Sequence, residues 1–324
     1  MMKTKAVYVL VCSSADYYAE QLWVSILSLR YHNPDITVEI VCDRESANQI
    51  VSAPVHLLAD TITVVDFCKG ITAIERSRRI KTDLRKLVSG DFIYMDTDTI
   101  ITSSLADVDE LEGSLYAVAD AHCKFRYNPY KEMICHNASL FGYDARFEEN
   151  FFNGGVVYAK DDRIAADFYA KWNALYLEGV KKGISIDQPS FAKANKDLGH
   201  PMRELPGSWN CQLKHGVRFL HEARIVHYLW TAKRAPSPFV LGREDVWKQI
   251  RNFGEIPEDV KKLFDDPWSG IQDLTYLAST EETILLNSRA YKVVGKLNKE
   301  APGLYSILNF WIRALDIVYK RTHN

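Results

Sequence analysis

Four consecutive apolar residues, Phe92-Ile93-Tyr94-Met95, run straight into a pair of aspartates, Asp96 and Asp98, and this junction limits the folds open to the chain more than any other stretch. A short apolar run bounded by polar residues reads as a strand buried on both faces, which needs a layer of helix above and below it. Side chains at i and i+2 of an extended segment share a face, so the carboxylates of Asp96 and Asp98 are expected to reach one point together. Two adjacent buried carboxylates repel, and a hard divalent cation that takes oxygen ligands relieves the repulsion. The plainer alternative is that either acid caps a turn or the next helix.

The rest of the chain supplies the partners such a strand requires. Residues 6–12 form a second apolar run, followed over 18–30 by Leu22, Ile26 and Leu29 at helical spacing. Residues 36–42 and 61–67 read as strands, and 74–88 as a basic helix stopped at Gly90. Strands are expected again over 115–119, 156–159 and 224–229, with helices over 162–178 and 187–195. This alternation predicts an α/β fold, a mostly parallel, doubly wound sheet flanked by helices, with ligands at the carboxyl ends of its strands. After Pro236-Ser237-Pro238 the texture changes, and 241–324 reads as helices divided by Pro257, Pro267 and Pro302. A main domain over 1–240 and a C-terminal helical extension over 241–324 follow.

Charge excludes a polyelectrolyte partner: 40 basic residues against 42 acidic ones leave a net charge of -2, so nucleic acid binding is not expected. The six cysteines are scattered without a Cys-x-x-Cys pair, which points to reduced thiols and not to a zinc knuckle or redox centre. The apolar run after Lys3 and Lys5 is short and passes into Ser13-Ser14-Ala15-Asp16, as a first strand and turn would and a signal peptide would not. No apolar run approaches the ~18 residues needed to span a bilayer. A cytoplasmic protein is expected.

Six short patterns then occur in a particular order: Arg79-Ile80-Lys81, the strand ending in Asp96-Thr97-Asp98, Phe152-Asn153-Gly154-Gly155-Val156, Asp187-Gln188, Trp209-Asn210, and His227-Tyr228 with Lys233. In that order they resemble the retaining glycosyltransferases of family 8, which include lipopolysaccharide galactosyltransferases and glycogenin, over roughly residues 5–240. The resemblance implies a GT-A, Rossmann-like fold with a UDP-sugar across the sheet and Mn2+ or Mg2+ at its diphosphate. Asp96, Asp98 and His227 would be the metal ligands, a set suited to a borderline cation. By itself His227 would more often be a hydrogen-bonded core histidine. Val11, Cys12, Ser13, Thr97 and Lys233 would meet the nucleotide and diphosphate, with Asp16 a candidate for the acid that contacts the base. Arg79, Asp120, Asn153, Gly154, Asp187 and Gln188 would meet the donor sugar, and Asp187 and Gln188 would be the catalytic pair. Each has a plainer role: Arg79 shares a basic face with Arg76, Arg78, Lys81 and Arg85, Asp120 could cap a turn, Asn153 could precede a strand, and Asp187 could cap a helix. The chain departs from the family pattern at Trp230, where glycine is usual, and at Arg234-Ala235, where Pro-Trp is usual.

The function so implied is metal-dependent transfer of a hexose from a UDP-sugar to a hydroxyl of a saccharide or glycolipid, with retention, as in lipopolysaccharide or polysaccharide synthesis. Retention by front-face displacement beside a neutral Gln188, or by double displacement through Asp187 or Asp120, both remain open. Two rivals are a non-catalytic sugar-nucleotide or glycan-binding protein on the same scaffold and a sugar-phosphate nucleotidyltransferase. The latter would need a Gly-rich loop after the first strand, which Ser13-Ser14-Ala15-Asp16 is not. On the final helix, Leu304, Ile307, Leu308, Trp311, Leu315 and Val318 are spaced to pack on the core or on a second subunit. Phe310, Trp311 and Tyr319 near Arg313, Lys320 and Arg321 equally suit peripheral contact with the inner face of the cell membrane.

Overall fold

The computed structural model describes residues 2–51, 53–229, 239–271 and 288–323. In chain order the strands are β1 (Lys5–Leu10), β2 (Val38–Asp43), β3 (Thr61–Val65), β4 (Phe92–Met95), β5 (Thr99–Ile101), β6 (Leu115–Ala119), β7 (Phe152–Ala159), β8 (Met202–Leu205), β9 (Cys211–Gln212) and β10 (Ile225–His227). The main helices are α1 (Tyr18–His32), α2 (Arg44–Ile50), α3 (Ala73–Thr82), α4 (Leu84–Leu87), α5 (Lys131–Ser139), α6 (Arg163–Lys181), α7 (Gln188–Asp197), α8 (Glu244–Phe253) and α9 (Glu258–Lys262). Two more helices, Arg289–Glu300 and Pro302–His323, follow.

Seven strands form one sheet in the order β3-β2-β1-β4-β7-β6-β8, and β5-β10-β9 form a second. From β3 to β4 all neighbours are parallel, and β6 pairs with β8 in parallel, so the expected mostly parallel α/β sheet is present. The exception is β7, antiparallel to both β4 and β6. It also starts earlier than the pattern suggests, because Asn153, Gly154 and Gly155 are strand residues and not a turn before one. The chain leaves β1 toward β2 on one side and meets β4 on the other, a reversal of strand order that opens a crevice at the carboxyl ends of β1 and β4.

Period-two alternation explains why the strands read as unbroken apolar runs. In β1, Ala6, Tyr8 and Leu10 face a core shared with Leu22, Ile26 and Leu29 of α1, while Val7 and Val9 face Phe168, Trp172 and Phe191 from α6 and α7. Each such large side chain contributes about 1.5–3 kcal/mol through burial. The basic helix expected over 74–88 is divided at Asp83, a residue whose side chain competes for backbone hydrogen bonds inside a helix. Residues 239–271 share a third apolar core with the small sheet, in which Trp247 and Ile250 pack with Val226 and Tyr228. That part of the extension is tied to α1 by Arg251 on Glu20 at 2.6 Å and by His32 Nε2 on the Phe264 carbonyl at 2.9 Å. All six cysteines are free. Among the described residues no helix is long and apolar enough to cross a membrane. On the final helix Leu304, Ile307, Phe310 and Trp311 are exposed, and the side chains from Arg313 onward lie outside the described residues.

Candidate active site

The two aspartates converge by a bend and not by strand periodicity. The large sheet ends at Met95, residues 97 and 98 turn, and β5 begins the small sheet at Thr99. The turn is held from several sides: Asp96 N–H donates to the Gly155 carbonyl at 2.8 Å, Thr99 Oγ1 donates to the Asp96 carbonyl at 2.8 Å, and Tyr228 N–H donates to the Asp98 carbonyl at 3.2 Å. Below it, Thr99, Ser25 and Tyr8 share a buried chain of hydroxyl hydrogen bonds. Because Thr99 lies opposite His227 in the β5–β10 pair, the turn delivers Asp98 to the imidazole. His227 Nε2 lies 3.1 Å from Asp98 Oδ1 and 3.9 Å from Asp96 Oδ2. Asp96, Asp98 and His227 thus each offer one ligand atom within 4.8 Å of the others, a mixed oxygen and nitrogen set that fits a divalent cation. Burial opposes a charged His227 ring, but Asp98 and Asp96 outweigh it and raise its affinity for a proton. A metal ion and a proton compete for that nitrogen.

The histidine tautomer is fixed by a chain that starts from a backbone donor. Gly155 N–H can only donate, and it meets Asn153 Oδ1 at 2.9 Å, so that atom is the amide oxygen. Asn210 Nδ2 donates to the same oxygen at 3.0 Å, which leaves Asn210 Oδ1 to accept from His227 Nδ1 at 3.0 Å. A proton therefore sits on Nδ1, and Nε2 is the nitrogen that faces the carboxylates, donating to Asp98 when it is protonated and offering its lone pair to a bound cation. At the other end Asn153 Nδ2 donates to Asp120 Oδ1 at 3.0 Å, and Asn128 Nδ2 takes Asp120 Oδ2 at 3.0 Å. The backbone just after Asp120 is left-handed at Ala121 and His122, neither a glycine, which costs energy that the surroundings must offset. Gln212 on β9 supplies the offset: its Oε1 accepts from Ala121 N–H at 3.0 Å and its own N–H donates to His122 Nε2 at 2.9 Å. Burial, with the nearby charges of His215, Arg218 and His227, pushes His122 down to about 4 and keeps it the neutral acceptor this bond requires.

A second cluster lies beside the first. Lys81 is almost wholly buried with its Nζ 3.1 Å from Asp96 Oδ1 and 3.7 Å from Asp187 Oδ2, while Arg78 Nε lies 3.2 Å from Asp187 Oδ1. Tyr94 OH donates to Asp96 Oδ1. Burial, and then the Asp96 charge, raise the Tyr94 hydroxyl well above its ordinary value, so it remains a donor. Gln188 Nε2 donates to the Phe152 carbonyl. Beside them is a cavity of about 1140 Å3 lined by Val11, Asp16, Arg78, Tyr94, Thr97, Asp120, Asn153, Gln188, His227 and both aspartates, whereas Lys81 and Asp187 are not among its lining residues.

Other candidates sit elsewhere. Arg79 pairs with Glu75 at 2.6 Å and does not line the cavity, whereas its neighbour Arg78 does. Cys12 is buried, with its N–H on Ser46 Oγ at 2.7 Å, and Ser13 bonds to Asp16 Oδ2 at 2.7 Å, so of that turn Val11 and Asp16 face the cavity. Gly154 stands between Gln188 and Lys81: a Cβ there would lie 3.4 Å from Gln188 Oε1 and 3.8 Å from Lys81 Nζ. Lys233, Trp230 and Arg234-Ala235 lie outside the described residues. Sequence reasoning placed Gly155 and Asn210 in motifs without giving them these roles, and it did not single out Arg78 or the place of Lys81 between two carboxylates. Arg78 and Lys81 were hidden among like charges on one basic helix, and Gly155 and Asn210 act through contacts between separate elements of the fold.

No family model and no curated protein sequence matches the chain. Among solved structures, the galactosyltransferase LgtC in complex with donor and acceptor sugar analogues is similar over 80% of this chain and 99% of its own, at 16% identity and a TM-score of 0.51. An active-site mutant of LgtC gives 16% identity, the same coverage and a TM-score of 0.50. The glycosyltransferase GlyE of Streptococcus pneumoniae TIGR4 is similar more loosely, at 19% identity, 86% and 67% coverage and a TM-score of 0.45. At such identities the likeness speaks for the fold, and the chain has the GT-A glycosyltransferase fold.

Proposed function

We propose, on the premise of a GT-A fold with an Asp-Asp-His cluster at the carboxyl end of β4, that the protein transfers a hexose from a UDP-sugar to a hydroxyl of a saccharide or glycolipid, with retention and with Mn2+ or Mg2+. The observation that carries this reading is the convergence of Asp96, Asp98 and His227 on one point of a cavity that Asp120, Asn153 and Gln188 also line. A bound divalent cation would supply positive charge to a leaving diphosphate. The chain's own residues bind and orient. Val11, Asp16 and Thr97, which line the cavity, would meet the nucleotide, and Lys233, outside the described residues, would be a further diphosphate contact. Asp120, Asn153 and Gln188, which line the same cavity, would meet sugar hydroxyls.

The surroundings of the carboxylates favour front-face retention. A double displacement needs a carboxylate free to attack, yet both oxygens of Asp187 are taken by Arg78 and Lys81 and both oxygens of Asp120 by amides. Gln188 stays neutral at any pH and can line the reacting face without competing for the anomeric carbon. The experiment is UDP release from a panel of UDP-sugars with and without Mn2+. Metal-stimulated release is the expected result, and no release with any donor, despite binding of UDP, would leave a binding protein in its place.

Asn210→Ala tests the link from backbone to metal. It leaves the buried Nδ1–H of His227 without its acceptor, and loss of such an outer contact weakens metal binding by roughly 10–100-fold. Titration calorimetry with Mn2+ measures this directly, and an unchanged affinity would sink the assignment. Peripheral membrane contact through Phe310 and Trp311 stays part of the proposal, and the same exposed face would equally suit a second copy of the chain.

A further inference from the structure

The cavity is polarised in charge. The part described so far carries Asp16, Asp96, Asp98 and Asp120 against Arg78. A second wall, built from the start of α5, the loop after β9 and the start of helix Arg289–Glu300, carries Lys131, Lys214, Arg289 and Lys292 against Glu132. Arg289 lies 3.5 Å from Glu132 with both groups exposed. Among the described residues no carboxylate pairs with Lys131, Lys214 or Lys292.

We propose that this second wall is the acceptor site, and that the acceptor is a saccharide bearing an anionic group such as a phosphate. The inference rests on the glycosyl-transfer reading given above. Three observations carry it. First, the wall is joined to the sugar side of the cavity: Asn128, at its edge, bonds Asp120, and Tyr130 next to it lines the cavity as well. Second, it pairs a sugar-binding surface with charge. The Lys214 ammonium sits 4.4 Å from the Tyr130 ring centre, and His215 meets the same ring edge-on at 5.6 Å. Aromatic rings pack on the C–H groups of pyranose rings, and the ammonium that lies over one face of Tyr130 supplies a contact for an anion. Third, the helices that bring Lys131, Arg289 and Lys292 both begin at the wall, so their N–H dipoles add to the positive potential of the side chains. Several cations along one concave wall raise the local potential and favour an anionic group there over a neutral one.

Calorimetry on the full chain tests this, with glucose, glucuronate and glucose 6-phosphate titrated into protein preloaded with UDP and Mn2+, and into protein alone. The expected result is binding of the two charged sugars about tenfold tighter than glucose, the order a few partly exposed charge pairs supply. High salt should erase the preference in the wild-type chain, and the triple variant Lys131→Gln, Lys214→Gln, Lys292→Gln should lack it. Equal affinities for all three sugars, or a preference that survives both salt and substitution, would overturn the proposal. A drop in UDP affinity in the triple variant as large as the drop for glucose 6-phosphate would overturn it too, by assigning the wall to the donor diphosphate. Binding to phosphatidylglycerol vesicles, with no preference among the soluble sugars, would overturn it in favour of a lipid surface. Because the sugars are also titrated without UDP and metal, the result stands apart from the fate of the donor assignment.

Discussion

Replacing Asp98 by asparagine is expected to lower Mn2+-dependent UDP release by about 10²–10³-fold, the cost of losing one preorganised charge contact at a developing anion. Asparagine keeps the shape and can still accept from the histidine, so the variant removes charge and little else. Asp96→Asn should lose as much activity, but it should also unfold more easily. Asp96 shares the buried ammonium of Lys81 with Asp187 and accepts from Tyr94, and breaking such a pair leaves a charge short of a partner. The two variants therefore separate two roles that one turn combines. Turnover and Mn2+ affinity, read beside the thermal midpoint, distinguish them. Both variants retaining full metal-stimulated turnover would remove the cluster from the chemistry.

Gly155→Ala is expected to damage both fold and site. The added Cβ would lie 2.8 Å from His227 Nδ1 and 2.9 Å from Asp96 Oδ2, and it would fall on the ring carbon between the two nitrogens. The strand cannot retreat, because Gly155 accepts from Asp96 N–H and donates to Asn153 Oδ1. The histidine cannot retreat either, held between Asn210 and Asp98. Overpacking of this kind costs roughly 1–3 kcal/mol, and here it also pushes two metal ligands apart. Gly154→Ala makes the comparison, since its Cβ would meet only ordinary contacts. Denaturant midpoints and Mn2+ calorimetry check the difference. A Gly155→Ala chain with the wild-type midpoint and metal affinity would show that strand and ligands are less rigid than their bonds require.

Much of this architecture was legible in local pattern. Apolar runs such as Phe92 to Met95 and the helical spacing of Leu22, Ile26 and Leu29 specify buried strands and one-sided helices, because period and burial are properties of neighbouring residues. The element boundaries moved by a few residues, and the helix over 74–88 broke at Asp83. The direction of β7 was not legible, since a buried strand reads the same whether its neighbours run with it or against it.

The sequence by itself determined which residue types stand at which strand ends: two carboxylates after β4, a histidine closing a late strand, an Asp-Gln pair at the start of a helix. Side-chain chemistry and short-range spacing are encoded there, and they suffice to suggest a metal and a sugar diphosphate. Only the tertiary structure decided how these groups act on one another. The reversed β7 set a glycine against His227 and Asp96, a chain of amides from Asn153 to Asn210 fixed which nitrogen of the ring is free, and α3 turned Arg78 and Lys81, and not Arg79, toward Asp187. The Asn153–Asn210 bond joins residues 57 positions apart, and the His227–Asp98 contact joins residues 129 apart. No local pattern carries them, because they exist only once the sheet has brought its strand ends together.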